Sequence, residues 1–155
     1  MRRDELWLQQ LLDDTWDKYF SDVPQSNTVK IVFGKRAKRQ LGSIRLDRQE
    51  RSVTIITMNG LFRDPEIPEF IALATLVHEL THYAHGFSSP LQQKHSHPHA
   101  GGVIRAEYRE RGLEDLYLQQ RKWLKENWPY ILKKHFPPKL KAVSRRSIPK
   151  PFWFV

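Results

Sequence analysis

The chain has 155 residues, of which 39% are hydrophobic, with no cysteine and a formal net charge of +9. That length suits a single domain able to bury a core. Without cysteine, disulfides, zinc ribbons and a thiol nucleophile are excluded, so any metal must be held by histidine and carboxylate. No apolar run approaches the ~20 residues that span a bilayer, and Met1-Arg-Arg-Asp-Glu5 leads into an amphipathic rather than a signal-like segment. A cytoplasmic protein with no membrane partner is expected.

The positive charge is unevenly placed. Residues 1–28 carry −3, residues 29–58 +6, residues 59–112 −1 and residues 113–155 +7. Two basic flanks around a near-neutral middle suit a surface that faces nucleic acid, although an ordinary solvated basic face has the same composition.

In chain order, residues 4–20 place Leu8, Leu11, Leu12, Thr15, Trp16 and Tyr19 at helical spacing, with Trp7 and Trp16 as core aromatics. Val29-Lys-Ile-Val-Phe33 alternates as a strand, followed by a basic turn over residues 34–39. Leu41-Gly-Ser-Ile-Arg-Leu46 and Ser52-Val-Thr-Ile-Ile-Thr-Met58 read as two more strands. Short strands with short links predict an antiparallel three-stranded meander. Asp64-Pro65 and Pro68-Glu69 then supply the start of a helix over about residues 67–85, stopped by Gly86.

That helix carries His78-Glu79-Leu-Thr-His82. At about 100° per residue, two histidines four apart lie one turn apart on one face, where both imidazoles can converge on one ion. Glu79, next to the first ligand, is placed to take a proton from a metal-bound water. Leu73, Leu76, Val77, Leu80 and Ala84 form the opposite, core-facing stripe, so the metal is expected to look onto a cleft. His85 reads as a group at the helix C-terminus and not as a ligand.

Residues 87–102 form a loop crowded with Ser, Pro, Gln and His. Six of the seven histidines fall between positions 78 and 99. A catalytic zinc keeps three protein ligands and one open position, so the loop has to supply the third, from His95, His97 or His99. Helical patterning returns over residues 103–111 and 113–126, broken by Gly112, with Leu113, Leu116, Tyr117, Gln120 and Leu124 on the inner face. Pro129 and Pro137-Pro138 punctuate the remainder of the chain. The division expected is a domain over residues 1–138 and a basic, aromatic-ended tail over residues 139–155. The tail's Phe152-Trp153-Phe154 should pack somewhere, as core beside Trp7 and Trp16, as a plug over the cleft, or on a partner protein.

In this order the chain resembles the SprT-like zinc metalloprotease domain, the family that includes the Spartan proteases acting on DNA–protein crosslinks. The residues that carry the likeness are Arg36 and Arg39 before Leu41-Gly42-Ser-Ile, the strand Val53-Thr-Ile-Ile-Thr-Met-Asn59, and Leu76-Val-His78-Glu79-Leu-Thr-His82. The family's third histidine opens the next helix in a His-Gly-x-x-aromatic pattern. His99-Ala-Gly-Gly-Val103 corresponds to it, with Ala100 and Val103 in place of the glycine and the aromatic residue.

The resemblance therefore implies a zincin-like α+β fold: an N-terminal helix, a three-stranded sheet, the His-Glu-x-x-His helix and further C-terminal helices. It also implies zinc on His78, His82 and His99, Glu79 as catalytic base, and an endopeptidase acting on protein substrates. Single-stranded or damaged DNA is the implied partner, which would place the protein at the nucleoid. Two alternatives stay open. One is a latent, minigluzincin-like peptidase with Glu107 or Glu110 as third ligand. The other is a non-enzymatic DNA-binding or adaptor protein whose zinc is structural.

Overall fold

The computed structural model describes residues 2–139 and has an α+β fold in which one buried helix packs against most of the other elements. The first helix, α1 (Glu5–Tyr19), starts where the Asp4 carboxylate accepts the Trp7 N–H at 3.0 Å, satisfying one of the free donors of its first turn. Leu8, Leu11, Leu12, Thr15 and Trp16 are buried along one face. The Trp16 indole N–H donates to the Val23 carbonyl at 3.0 Å and folds the adjoining turn back under the helix.

Next in the chain come three strands: β1 (Thr28–Phe33), β2 (Gly42–Leu46) and β3 (Val53–Met58). Their order is β1-β3-β2. The antiparallel meander expected from the sequence is thus corrected to a mixed sheet. β2 and β3 pair antiparallel with Ile44 opposite Ile56, but β1 pairs parallel with β3, Thr28 against Val53 through Phe33 against Met58.

The cause lies in the link over residues 34–41, which is too long for a hairpin and crosses the end of β3 to bring β2 down on the far side. Asn59 fixes that crossing. Its side-chain amide donates to the Ala37 and Gln40 carbonyls, both at 2.8 Å, and its oxygen accepts the Ala37 and Leu61 N–H groups. β3 becomes the central strand. Val53, Thr54, Ile56 and Met58 are all buried, as the near-continuous β-branched run from 53 to 57 requires.

The central helix, α2 (Glu69–Ala84), touches α1, β2, β3 and the two helices C-terminal to it, and almost every residue from Ile71 to Ala84 is buried. It ends at Gly86, which adopts φ +81°. There the Phe87 N–H reaches the His82 carbonyl at 2.9 Å and the Gly86 N–H reaches Tyr83 at 3.0 Å, a Schellman termination that turns the chain into the loop. A Cβ on Gly86 would also lie 2.5 Å from the Gln92 backbone, so only glycine fits.

After a short 3₁₀ turn (Ala100–Gly102), α3 (Val103–Glu110) and α4 (Glu114–His135) close the other side of α2. α4 runs straight through Pro129, nine residues beyond the expected end at 126. Trp128, Ile131 and Leu132 are buried on either side of the proline, and the Trp128 indole donates to the Lys38 carbonyl at 2.9 Å. This packing outweighs the roughly 3 kcal/mol that an interior proline costs a helix. Among the described residues no helix is long and apolar enough to cross a membrane. The tail expectations fall on residues 140–155, outside the described residues.

Candidate metal centre

His78 and His82 lie one turn apart on α2, with their Nε2 atoms 2.8 Å from each other. The loop returns to them: His99 Nε2 lies 3.1 Å from His82 Nε2, and the ligand atoms of all three histidines fall within 4.8 Å of one another. His95 and His97 stay outside this group. His95 packs edge-on against His85, ring centroids 4.7 Å apart, and His97 is exposed. The loop is anchored near both ends of its first half, where the Thr54 hydroxyl donates to the Ser88 carbonyl at 2.7 Å and the Lys94 N–H to the His85 carbonyl at 2.9 Å.

The two helical histidines are almost fully buried while His99 is exposed. The sequence suggested that the metal face of α2 would look onto a cleft. Instead that face is covered, because sheet, helices and loop enclose α2, and solvent reaches the group on the His99 side.

Burial holds the His78 imidazole well below the ordinary histidine range, and its neighbours His82 and His99 push it the same way. Burial, with His99 and His85, lowers His82 to about 3. His99 is lowered by partial burial. Rings that resist protonation keep nitrogen lone pairs available for a cation, and the ligand atoms of the three rings lie within 4.8 Å of one another.

Glu79 supplies an independent sign. Its side chain is fully buried, and neither carboxylate oxygen has a hydrogen-bond partner among the described residues. Burial raises its pKa well above the ordinary carboxylate range. A bare buried carboxylate costs several kcal/mol in an ordinary core, and a cation or its bound water beside it offsets that cost. The donor set, three imidazoles and one adjacent carboxylate, thus fits a metal ion.

Sequence reasoning missed the frame around Glu79. A Cβ on Gly42 would lie 3.1 Å from Glu79 Oε1 and 2.8 Å from the Thr75 methyl, so the start of β2 presses directly on the carboxylate. Gln120 of α4 donates to the Ile71 carbonyl at 3.0 Å and to the Thr75 hydroxyl at 2.9 Å, tying α4 to α2 one turn before His78. A glutamine in the apolar stripe of α4 was the available signal.

The other polar groups near the motif in sequence have separate engagements. Tyr83 donates to Asn27 Oδ1 at 2.6 Å on the α1 side, and Tyr108, fully buried, donates to the Ala74 carbonyl at 2.5 Å. Arg105 faces Glu114 at 3.7 Å. Glu107 accepts from His85 at 2.9 Å and from Arg111 at 2.8 Å, while Glu110 is exposed. Comparison with protein-family models, with curated proteins and with solved structures finds no match to this chain.

Proposed function

We propose that this chain is a zinc-dependent endopeptidase with a zincin-like, SprT-like arrangement, in which His78, His82 and His99 hold the ion and Glu79 is the general base. The observation that carries the reading is the convergence of three imidazole nitrogens beside a buried carboxylate with no hydrogen-bond partner. When bound, zinc polarises a carbonyl and lowers the pKa of a water ligand from 15.7 to about 7. With zinc bound, Glu79 would take a proton from water at the site and would pass it to the leaving nitrogen, its carboxyl lying next to His78 in the chain.

Among the described residues the histidine group comprises three ligands, whereas a closed structural zinc site has four. Glu107, the rival third ligand, is already held by His85 and Arg111. For a peptide substrate, β2 is the sheet edge beside Glu79. Its register turns the backbone groups of Gly42, Ile44 and Leu46 away from β3, and of these the Ile44 carbonyl accepts from Ser88.

The proposed substrates are proteins bound or crosslinked to DNA. Support comes from the meeting of the two basic flanks. Arg36 and Lys38 lie over the Phe136 ring at 5.6 and 5.2 Å, so residues 35–39 and the end of α4 form one surface. Trp128, on the same helix, is buried and cannot stack on a base. Tyr130 is exposed, while Phe136 is half-buried beneath those two cations.

The test is elemental analysis of the purified chain together with cleavage of casein or a histone, with and without single-stranded DNA, for wild type and Glu79→Gln. One zinc per chain and cleavage lost in Glu79→Gln support the peptidase. Zinc retained with wild-type cleavage in Glu79→Gln refutes it. Binding of single-stranded DNA should weaken steeply with salt, and Lys38→Ala should reduce the salt slope by about 1; a flat dependence removes the DNA reading.

A further inference from the structure

Gln120 is buried on α4 in the company of Leu124, Trp128, Ile131 and Leu132. An apolar side chain of the same length would fill that place without polar cost, and a buried amide is tolerated only where its hydrogen bonds are made. Both N–H groups of Gln120 go to α2. Nε2 donates to the Ile71 carbonyl at 3.0 Å and to the Thr75 hydroxyl at 2.9 Å. The Thr75 hydroxyl in turn donates to the Ile71 carbonyl at 2.9 Å, so its single proton is already engaged.

The direction of that hydroxyl fixes what Thr75 shows to β2. With Oγ1 turned to Ile71 and Gln120, the methyl is the group facing the strand. A Cβ on Gly42 would lie 2.8 Å from the Thr75 methyl and 3.1 Å from Glu79 Oε1, so methyl and carboxylate border the same point. Turned about χ1 into another staggered well, the hydroxyl would stand where the methyl stands. It would then lie beside a carboxylate, a stronger acceptor than a carbonyl.

We infer that Gln120 is a positioning residue for Glu79: by holding the Thr75 hydroxyl it turns the Thr75 methyl toward the carboxylate and keeps both carboxylate oxygens free of donors among the described residues. The inference rests on the reading of Glu79 as the general base. A hydroxyl bound to the carboxylate would have to be released before Glu79 could accept from water at the site, and that cost falls on turnover and not on substrate binding. Gln120 acts through Thr75, one helical turn before Glu79.

The experiment compares full-length wild type, Gln120→Met, Thr75→Val and the double variant Thr75→Val with Gln120→Met, each checked for folding by circular dichroism. Methionine keeps the length of the side chain without its donor. Two readouts are taken: steady-state cleavage of casein, and the infrared carboxyl band of Glu79, identified with isotope-labelled glutamate as the band missing from Glu79→Gln. The expected result is kcat lowered about 10- to 100-fold in Gln120→Met, the strength of one hydrogen bond to a charged group. KM and zinc content should hold, and the Glu79 band should move. With valine at position 75 no hydroxyl remains to reach Glu79, so Thr75→Val and the double variant should match each other in kcat and in band position.

Wild-type kcat and band in Gln120→Met overturn the inference. So does a further loss from Thr75→Val to the double variant as large as that caused by Gln120→Met alone, which would make Gln120 a packing residue only. Should Gln120→Met fail to fold, Gln120→Leu takes its place in the same comparison. A wild-type chain that cleaves nothing, or undiminished cleavage in Glu79→Gln, defeats the general-base reading instead. The infrared comparison needs no turnover and still decides whether Gln120 keeps the Thr75 hydroxyl off the carboxylate.

Discussion

A carboxylate with both oxygens sealed away from water and from every described donor is costly to keep, and Glu79 is such a group. The cost is understandable beside a cation. On the proposed peptidase reading, replacing it by glutamine keeps the shape and removes the proposed base, so peptide hydrolysis should fall about 10²- to 10⁴-fold with the zinc content unchanged, as steady-state assays and elemental analysis would show.

Gly42 answers to the same carboxylate. In Gly42→Ala the new methyl would meet Thr75 and Glu79, so stability should drop by about 1–3 kcal/mol in denaturant titration, and turnover should fall while metal stoichiometry holds. At this scale the sequence was legible where the geometry is local. His78, Glu79 and His82 share a helix turn, and spacing alone puts them together. Choosing His99 over His95 and His97 was beyond spacing, because a loop's path is decided by remote anchors such as the turn at Gly86 and the Ser88 contact with Thr54.

Among the elements, helices with one apolar stripe were readable from their period. α1 begins with Asp4 as its cap and buries five of the six residues its spacing singled out, Tyr19 being partly exposed. The sheet was not. Strand pairing depends on where the 34–41 link travels, and the residue that decides it, Asn59, lies beyond the third strand. The one local hint was β3 itself, whose unbroken β-branched run marks a strand buried on both faces.

Pro129 misled in the opposite sense, since tertiary burial of Trp128 and Leu132 carries α4 past it. Pro129→Ala restores an N–H to the helix and should stabilise the protein. The gain is about 2 kcal/mol, less than the full propensity difference because the unfolded chain gains freedom as well. Urea denaturation would read it.

Across the whole molecule, charge composition was legible as a total and its arrangement was not. Basic segments some hundred residues apart meet at Phe136, while Asp64 gathers Lys134 at 2.8 Å and His135 at 2.7 Å near the end of α4. Burial alone would raise the Asp64 carboxyl. Hydrogen bonds from Lys134, from the Glu66 backbone and from His135 outweigh it and hold the group at about 2. Glu107 is also held at about 2, chiefly by its bond to His85 and against the effect of burial, with Arg111 assisting.

Both carboxylates bind protons less readily folded than unfolded, so their stabilisation is complete above the ordinary carboxylate range and disappears as pH falls toward about 2. Denaturation midpoints should decline between about pH 4 and 2, and Asp64→Asn should flatten that decline.

Metal links the same scale to the site. Zinc at about 100 times its Kd should add about 2.7 kcal/mol to folding and raise Tm by roughly 5–10 °C in a chain of this size. The most direct measurement is the zinc content of the purified, dialysed chain by elemental analysis, alongside His78→Ala, His82→Ala and His99→Ala. One tightly held zinc per wild-type chain, lost or much weakened in each variant, is the expected result. A wild-type chain that holds no zinc, or variants that keep it, would contradict the assignment of these three histidines as a metal centre.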